Sequence, residues 1–168
     1  MGLIANYSCL SDVNLKELKA MGSEEEEILE SVEEWNDDDE LLLDIDKMWD
    51  ALHFVLTGVG TDHKDDNNPL SLAVLGITAV EEMSDYLAYT EHDKLADIVA
   101  ALEQFDMEEA LESFDMAACK AAKLYPDIWD YDEEEEEIKD ELLHDFEQMK
   151  RFYKQVLEAK GHVLVSIC

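Results

Sequence analysis

The segment at residues 43–58, LDIDKMWDALHFVLTG, carries the most specific pattern in this 168-residue chain. Its apolar residues recur at intervals of three and four, at Ile45, Met48, Trp49, Leu52 and Leu56. This spacing predicts one face of an α-helix, and the glycine at its end is typical of a helix C-terminus. We therefore expect residues 43–58 to form a central amphipathic helix, with Trp49 as a core anchor rather than a ligand surface.

A second stripe on the same predicted helix is polar and consists of Asp46, Asp50, His53 and Thr57. Asp50 and His53 are three residues apart, so their side chains can meet on one helix face. A carboxylate beside an imidazole fixes its tautomer and favours its charged form, which suits a general base or a metal ligand. A polar network that fixes the helix against neighbouring loops also explains the pattern, and this structural interpretation is favoured over the functional one. A catalytic triad would also need a nucleophile such as Ser71 beside His53.

Residues 43–58 and 68–76 together resemble the signature of a known family. The residues that carry the resemblance are Asp44-Ile45-Asp46-Lys47, Trp49-Asp50, Leu52-His53-Phe54, Leu56-Thr57-Gly58, Pro69-Leu70-Ser71 and Ala73-Val74-Leu75-Gly76. They are similar to those of the YfbM-like family, a bacterial family described as a domain of unknown function. The resemblance extends over the whole chain and implies one compact α+β domain. It implies no activity, cofactor or catalytic residue.

Both ends of the chain are short and apolar, and residues 2–9 and 162–168 are predicted to be strands. Neither strand could be stable alone. We therefore expect an α+β fold in which both strands belong to one small mixed sheet, packed by several helices. The length suits a single domain over residues 1–168. The clearest helix has apolar residues spaced by three and four, at Ile138, Leu142, Phe146, Met149, Tyr153 and Val156.

The charge of the chain is extreme, with 44 acidic residues against 12 basic ones and a formal net charge of −32. Such a surface repels nucleic acid and anionic membranes and attracts basic proteins. The acidic residues concentrate in runs at 24–27, 37–40 and 132–137. Ser23 is expected to cap a helix that begins with the first run, and residues 37–40 are expected to form a solvated loop. Simple solubility explains such runs as well as recognition does.

No cofactor or metal site is predicted. The chain lacks GxSxG, HExxH and glycine-rich phosphate motifs. A calcium loop beginning at Asp62 fails because Lys64 takes a ligand position and Asn67 replaces the required glycine. His63 and its neighbouring aspartates offer at most a loose divalent-ion site.

Three widely spaced cysteines, no signal peptide and no membrane-spanning segment predict a cytoplasmic protein with reduced thiols.

Two functions are compatible with these patterns. The favoured one is a non-enzymatic cytoplasmic binding protein whose acidic surface recognises a basic protein, for example as an immunity-type inhibitor of a basic toxin or nuclease. The alternative is a small hydrolase or other enzyme built around Asp50 and His53. A concave site on which those two side chains converge would favour the enzyme, and a buried, fully bonded His53 would favour the binding protein.

Overall fold

A five-stranded antiparallel sheet lies at the centre of the computed structural model, which describes residues 2–21, 24–38, 41–81 and 83–168. The strands are β1 (Ala5–Leu10), β2 (Leu42–Asp46), β3 (Thr78–Ala79), β4 (Tyr86–Thr90) and β5 (His162–Ile167). Their order in the sheet is β2-β1-β5-β4-β3. The helices are α1 (Asp12–Ala20), α2 (Glu25–Asp38), α3 (Trp49–Thr57), α4 (Pro69–Leu75), α5 (Leu95–Gln104), α6 (Met107–Glu112), α7 (Met116–Ala121) and α8 (Glu135–Glu158).

The first and last strands pair with each other along their whole lengths. β1 and β5 run antiparallel from the Ala5–Ile167 pair to the Leu10–His162 pair. Ile4 and Cys168 extend the ladder, since the amide nitrogen of each bonds the carbonyl oxygen of the other at 2.8 and 3.1 Å. The predicted α+β class and the shared sheet of the two termini are confirmed. The strand pairings are all antiparallel in the described part of the sheet, so the expectation of a mixed sheet is wrong.

The prediction of one helix over residues 43–58 is also wrong, because its first residues form the edge strand β2. Leu43 and Ile45 are buried, whereas Asp44 and Asp46 are exposed. That alternation has the period of two that suits a half-buried strand. Asp46 has a φ of 49° and its amide donates to Asp44 Oδ1 at 2.7 Å, which turns the chain from the strand towards α3.

The two faces of the sheet are covered by different helices. Side chains of one cluster join α1 and α2 to the first face, namely Leu10, Leu15, Leu18, Ile28, Val32, Leu87 and Leu164. The larger cluster on the other face contains α3 to α8 together with Val163, Val165 and Ile167. Successive side chains of β5 therefore alternate between two cores, as a strand buried on both faces requires.

The acid-rich segments lie at the helix surfaces where they are described. α2 begins at Glu25 and continues to Asp38, so Asp37 is helical rather than part of a loop. The predicted cap Ser23 and the loop residues 39 and 40 lie outside the described residues. The run at 132–137 forms a short 3-10 helix at Asp132–Glu134 and the first turn of α8. Carboxylates suit that position because the helix N-terminus carries partial positive charge.

Truncating Trp49 should destabilise the fold strongly. Its ring stacks on Tyr125 with centroids 5.3 Å apart, and its Nε1 donates to the Leu3 carbonyl oxygen at 3.0 Å. We expect Trp49→Ala to lower the free energy of unfolding by roughly 3–5 kcal/mol, as large core truncations do. Urea denaturation measures this, with Val13→Ala as the control because Val13 is 64% exposed. Equal loss in the two variants would show that Trp49 is not a core anchor.

Candidate functional site

The polar stripe predicted on one helix is divided by the structure. Asp46 ends β2 with its side chain exposed and takes no part in the site. Asp50, His53 and Thr57 do lie on α3 and face the connection between α3 and α4. Ser71, on α4, joins them and is the potential nucleophile that a triad with His53 would need. The candidate site therefore consists of Asp50, His53, Thr57 and Ser71.

His53 is completely buried, and both of its ring nitrogens have partners. Nδ1 lies 2.8 Å from the carbonyl oxygen of Val59, which can only accept, so Nδ1 carries the proton. Nε2 is then the acceptor of a hydrogen bond that the Ser71 hydroxyl donates across 2.7 Å. Ser71 Oγ in turn accepts from the Asp65 amide at 3.0 Å. This chain of bonds joins α3 and α4 to both ends of the loop between them.

Burial lowers the pKa of His53, although the bond to Val59 and the charge of Asp50 act in the opposite direction. The imidazole is therefore neutral at pH 7, contrary to the charged form that the sequence pattern favoured. A neutral ring is what the bonding requires, because a protonated Nε2 could no longer accept from Ser71. Thr57 Oγ1 completes the network by donating to the His53 carbonyl oxygen at 2.7 Å.

Asp50 bonds to Thr61 and Tyr125 and not to His53, so the contact that the spacing of Asp50 and His53 allows is not formed. Oδ1 accepts from the amide and the hydroxyl of Thr61 at 2.8 and 3.0 Å. Oδ2 accepts from the amide of Tyr125 at 2.8 Å. One carboxylate thus ties the start of α3 to two loops that are far apart in sequence. A small hollow of about 170 Å³ beside Asp50 does not include His53 in its lining.

The arrangement contains part of a nucleophilic centre. A serine hydroxyl that donates to a neutral imidazole is the bond by which a histidine activates a nucleophile. Here Ser71 and His53 both have no exposed surface, and the histidine's other nitrogen bonds a backbone carbonyl instead of a carboxylate. The described contacts hold the α3–α4 loop in place, which matches the structural interpretation of the stripe.

A cleft that the sequence did not predict lies at the end of the sheet where β1 and β4 begin and β5 ends. It encloses about 440 Å³ and is lined by Leu3, Trp49, Thr61, Lys64, Leu75, Ser84, Asp85, Tyr86 and Ile167. Trp49 therefore contributes to a concave surface as well as to the core. The lining residues come from six separate parts of the chain, so no sequence motif could have revealed the cleft.

The buried carboxyl group of Asp145 is a second feature that the sequence did not predict. It is 6% exposed, and Oδ2 has no hydrogen-bond partner among the described residues. Burial raises its pKa to about 8, assisted by the charges of Glu141 on the same helix and of Asp44 and Asp46 on β2. A signal existed, since Asp145 continues the three-and-four spacing between Leu142 and Met149 on α8.

Within the described ranges, no group of three or more histidine, cysteine, aspartate or glutamate side chains is arranged to hold a metal ion. No helix in the same ranges is long and apolar enough to cross a membrane. Cys119 is a buried thiol whose pKa burial raises to about 12, and Cys168 is an exposed free thiol.

These features define a single α+β domain whose antiparallel sheet is covered on both faces and whose loops are held by a buried polar network. The chain belongs to the family described as Domain of unknown function (DUF1877), whose family model matches residues 1–166. This confirms the resemblance that residues 43–58 and 68–76 carry.

The relatives show the same fold and supply no activity. Protein YfbM of Escherichia coli (strain K12) is 34% identical over 126 residues, which are 74% of this chain and 75% of that protein. The crystal structure of YfbM from Escherichia coli, a protein of unknown function, matches with a TM-score of 0.80 at 27% identity. The match covers 98% of this chain and 99% of that chain.

Removing the Ser71 hydroxyl should destabilise the protein. Ser71→Ala leaves the Asp65 amide and His53 Nε2 without partners, and each unpaired buried group costs about 1–3 kcal/mol. Urea denaturation of Ser71→Ala should show this loss, whereas the exposed Ser113→Ala should resemble the parent. An alkyl fluorophosphonate should not label Ser71 in the native protein, because the hydroxyl is buried. Stoichiometric labelling would contradict the structural interpretation.

Neutralising Asp145 should stabilise the protein increasingly as the pH rises. The pKa of Asp145 is raised from 3.8 in the unfolded chain to about 8 in the folded protein. As the pH rises between these two values, the carboxyl ionises in the unfolded chain but stays protonated in the folded protein, so the free energy of unfolding decreases. At pH 4 Asp145→Asn should match the parent, and at pH 7 it should be more stable by roughly 3–4 kcal/mol, since each pH unit between the two pKa values is worth about 1.4 kcal/mol. Urea denaturation across this range measures the difference, with Asp93→Asn as the control because Asp93 is exposed and its charge does not act on Asp145. A difference independent of pH would refute the raised pKa.

Proposed function

We propose that this chain is a non-enzymatic cytoplasmic binding protein that recognises a basic protein through its acidic surface. The observation that carries the proposal is the distribution of charge among the described residues. The lysines that form ion pairs do so with single carboxylates, as Lys19 does with Glu91 and Lys154 with Glu103. Because acidic residues outnumber basic ones by 44 to 12, most carboxylates have no cation to pair with.

The run at 132–137 shows this imbalance most clearly. Six consecutive carboxylates occupy a short 3-10 helix and the first turn of α8. Glu136 lies 3.6 Å from Lys139, and no other member of the run makes an ion pair with a described residue. Such a run raises the local concentration of a cationic partner and accelerates its association.

A basic toxin or nuclease is the partner class that this surface suits. A nuclease must present cationic side chains to the phosphates of its substrate. An acidic protein that covers those side chains would compete with the nucleic acid and inhibit the enzyme. Cys119 and Cys168 are free thiols, which fits a reducing cytoplasm in which such a toxin would act.

A small hydrolase built around Asp50 and His53 is the second candidate, and one observation favours it. Ser71 Oγ lies 2.7 Å from His53 Nε2, in the geometry of an activated nucleophile. Against it, a substrate could reach Ser71 only if the loop at 58–68 opened, and Asp50 is bonded elsewhere. Covalent labelling of Ser71 by a fluorophosphonate would support this candidate.

The binding function predicts a salt-sensitive partner. Pull-down from a lysate of the source cell should retain a basic protein at low salt and release it at high salt, because exposed charges are screened beyond about 8 Å at physiological ionic strength. A triple variant, E133Q/E134Q/E137Q, should slow association with that protein more than it speeds dissociation. Surface plasmon resonance measures the two rates.

The matched control is E108Q/E109Q/E112Q on α6, which removes three exposed carboxylates elsewhere on the surface. Equal effects of the two triple variants would mean that net charge and not the 132–137 run governs association. Failure to retain any basic protein at low salt would overturn the binding function. Solubility would then be the sole role of the acidic runs.

A further inference from the structure

The cleft at the sheet end continues into a second one, and together they form what we call the sheet-end groove. The first cleft, of about 440 Å³, includes Leu3, Trp49 and Tyr86. The second, of about 310 Å³, includes Leu29 and Val32 of α2. Asp85 and Tyr86 line both clefts, so the groove passes from one face of the sheet to the other across the start of β4.

We propose that the sheet-end groove is a docking site for a segment of a basic protein, which inserts an aromatic or long aliphatic side chain between Leu3 and Tyr86 and places adjacent lysines or arginines on the carboxylates of the rim. The proposal rests on the binding function given above and specifies where and how that partner is held.

The apolar part of the groove has the properties of an anchor pocket. Leu3 is 44% exposed and Leu29 is 37% exposed, although both stand beside buried core residues. Trp49 and Tyr86 supply aromatic walls, and both are held in place by hydrogen bonds to backbone carbonyls, those of Leu3 and Leu75 respectively. A rigid, concave apolar surface is where interfaces concentrate their binding energy.

The charges of the groove select a cationic occupant. Asp85 lines both clefts, Glu33 and Asp37 line the second, and Glu25 accepts from the amide of the lining residue Ser84 at 2.9 Å. Among the described lining residues the one cation is Lys64. Its ammonium lies 3.5 Å from Asp66 and donates to the Ile77 carbonyl oxygen at 3.2 Å, so it is already neutralised within the chain.

A second copy of this chain would bring a further −32 charges to a rim that is already acidic, which disfavours self-association through the groove.

Short peptides of defined sequence test the docking proposal. The probe is Lys-Lys-Trp-Lys-Lys, blocked at both ends, and it is compared with the same peptide carrying alanine for tryptophan and with a version whose lysines are acetylated. Calorimetry at low ionic strength should show at least tenfold tighter binding of the tryptophan peptide than of the alanine peptide, as expected for an anchor residue. The acetylated peptide should bind more weakly than the probe, because its charges are lost.

Two variants connect this binding to the groove. Leu3→Ser should weaken binding of the tryptophan peptide roughly tenfold and leave the alanine peptide unchanged. It keeps the backbone groups that bond Trp49 and Tyr125, so the fold is retained. Asp85→Asn should weaken both lysine peptides about two- to fivefold, the range of exposed ion pairs. The matched controls are Val13→Ser and Asp93→Asn, which are exposed at the opposite end of the sheet.

Other results would overturn the proposal in distinguishable ways. Equal binding of the tryptophan and alanine peptides would show that the groove does not bind an aromatic anchor, and it would leave the acidic binding function intact. Tight binding of the acetylated peptide would make the groove a site for neutral apolar ligands. No binding by any lysine peptide would overturn the cationic occupant and count against the binding function as well. A dimer in sedimentation that Leu3→Ser dissociates would assign the groove to a second copy.

Discussion

The hydrogen bonds of His53 are the interaction on which the surrounding structure depends. A neutral imidazole with no exposed surface accepts a hydrogen bond from the Ser71 hydroxyl on one nitrogen and donates to the Val59 carbonyl oxygen from the other. Its place among apolar residues is tolerable because every polar atom of the ring is satisfied. The result is that α3, α4 and the loop between them form one rigid unit, and Asp50 extends that unit to the backbone at Tyr125.

The rigid unit also shapes the surface beyond it. Trp49, one residue before Asp50, begins α3 and forms a wall of the sheet-end groove. Thr61, which Asp50 holds through two bonds, lines the same cleft. A buried polar network that resembles a catalytic centre thus positions a neighbouring apolar concavity. This is a physical reason to seek function at the groove and not at the histidine.

The acidic composition is accommodated by keeping carboxylates exposed, and among the described residues the buried exceptions are Asp50, which accepts three hydrogen bonds, and Asp145. Exposed carboxylates are solvated and screened, so their mutual repulsion costs little for each pair. Burial, together with the negative charges of Glu141, Asp44 and Asp46, raises the pKa of Asp145 to about 8, so it retains a proton at pH 7. The protein therefore tolerates one protonated acid at the contact between α8 and the edge strand.

The sequence by itself determined the α+β class, the common sheet of the two termini, the long C-terminal helix and the family, because local periodicity and a continuous motif carry that information. It also identified Asp50, His53 and Ser71 as neighbours to consider. Tertiary structure decided that residues 42–46, which include the start of the motif, form a strand instead of a helix, since pairing with β1 outweighs helical spacing over so few residues. It also decided that Asp50 bonds loop amides instead of His53, and that Leu3, Tyr86 and Leu29 meet in one groove. Those outcomes depend on contacts between residues distant in the chain, which no local pattern encodes.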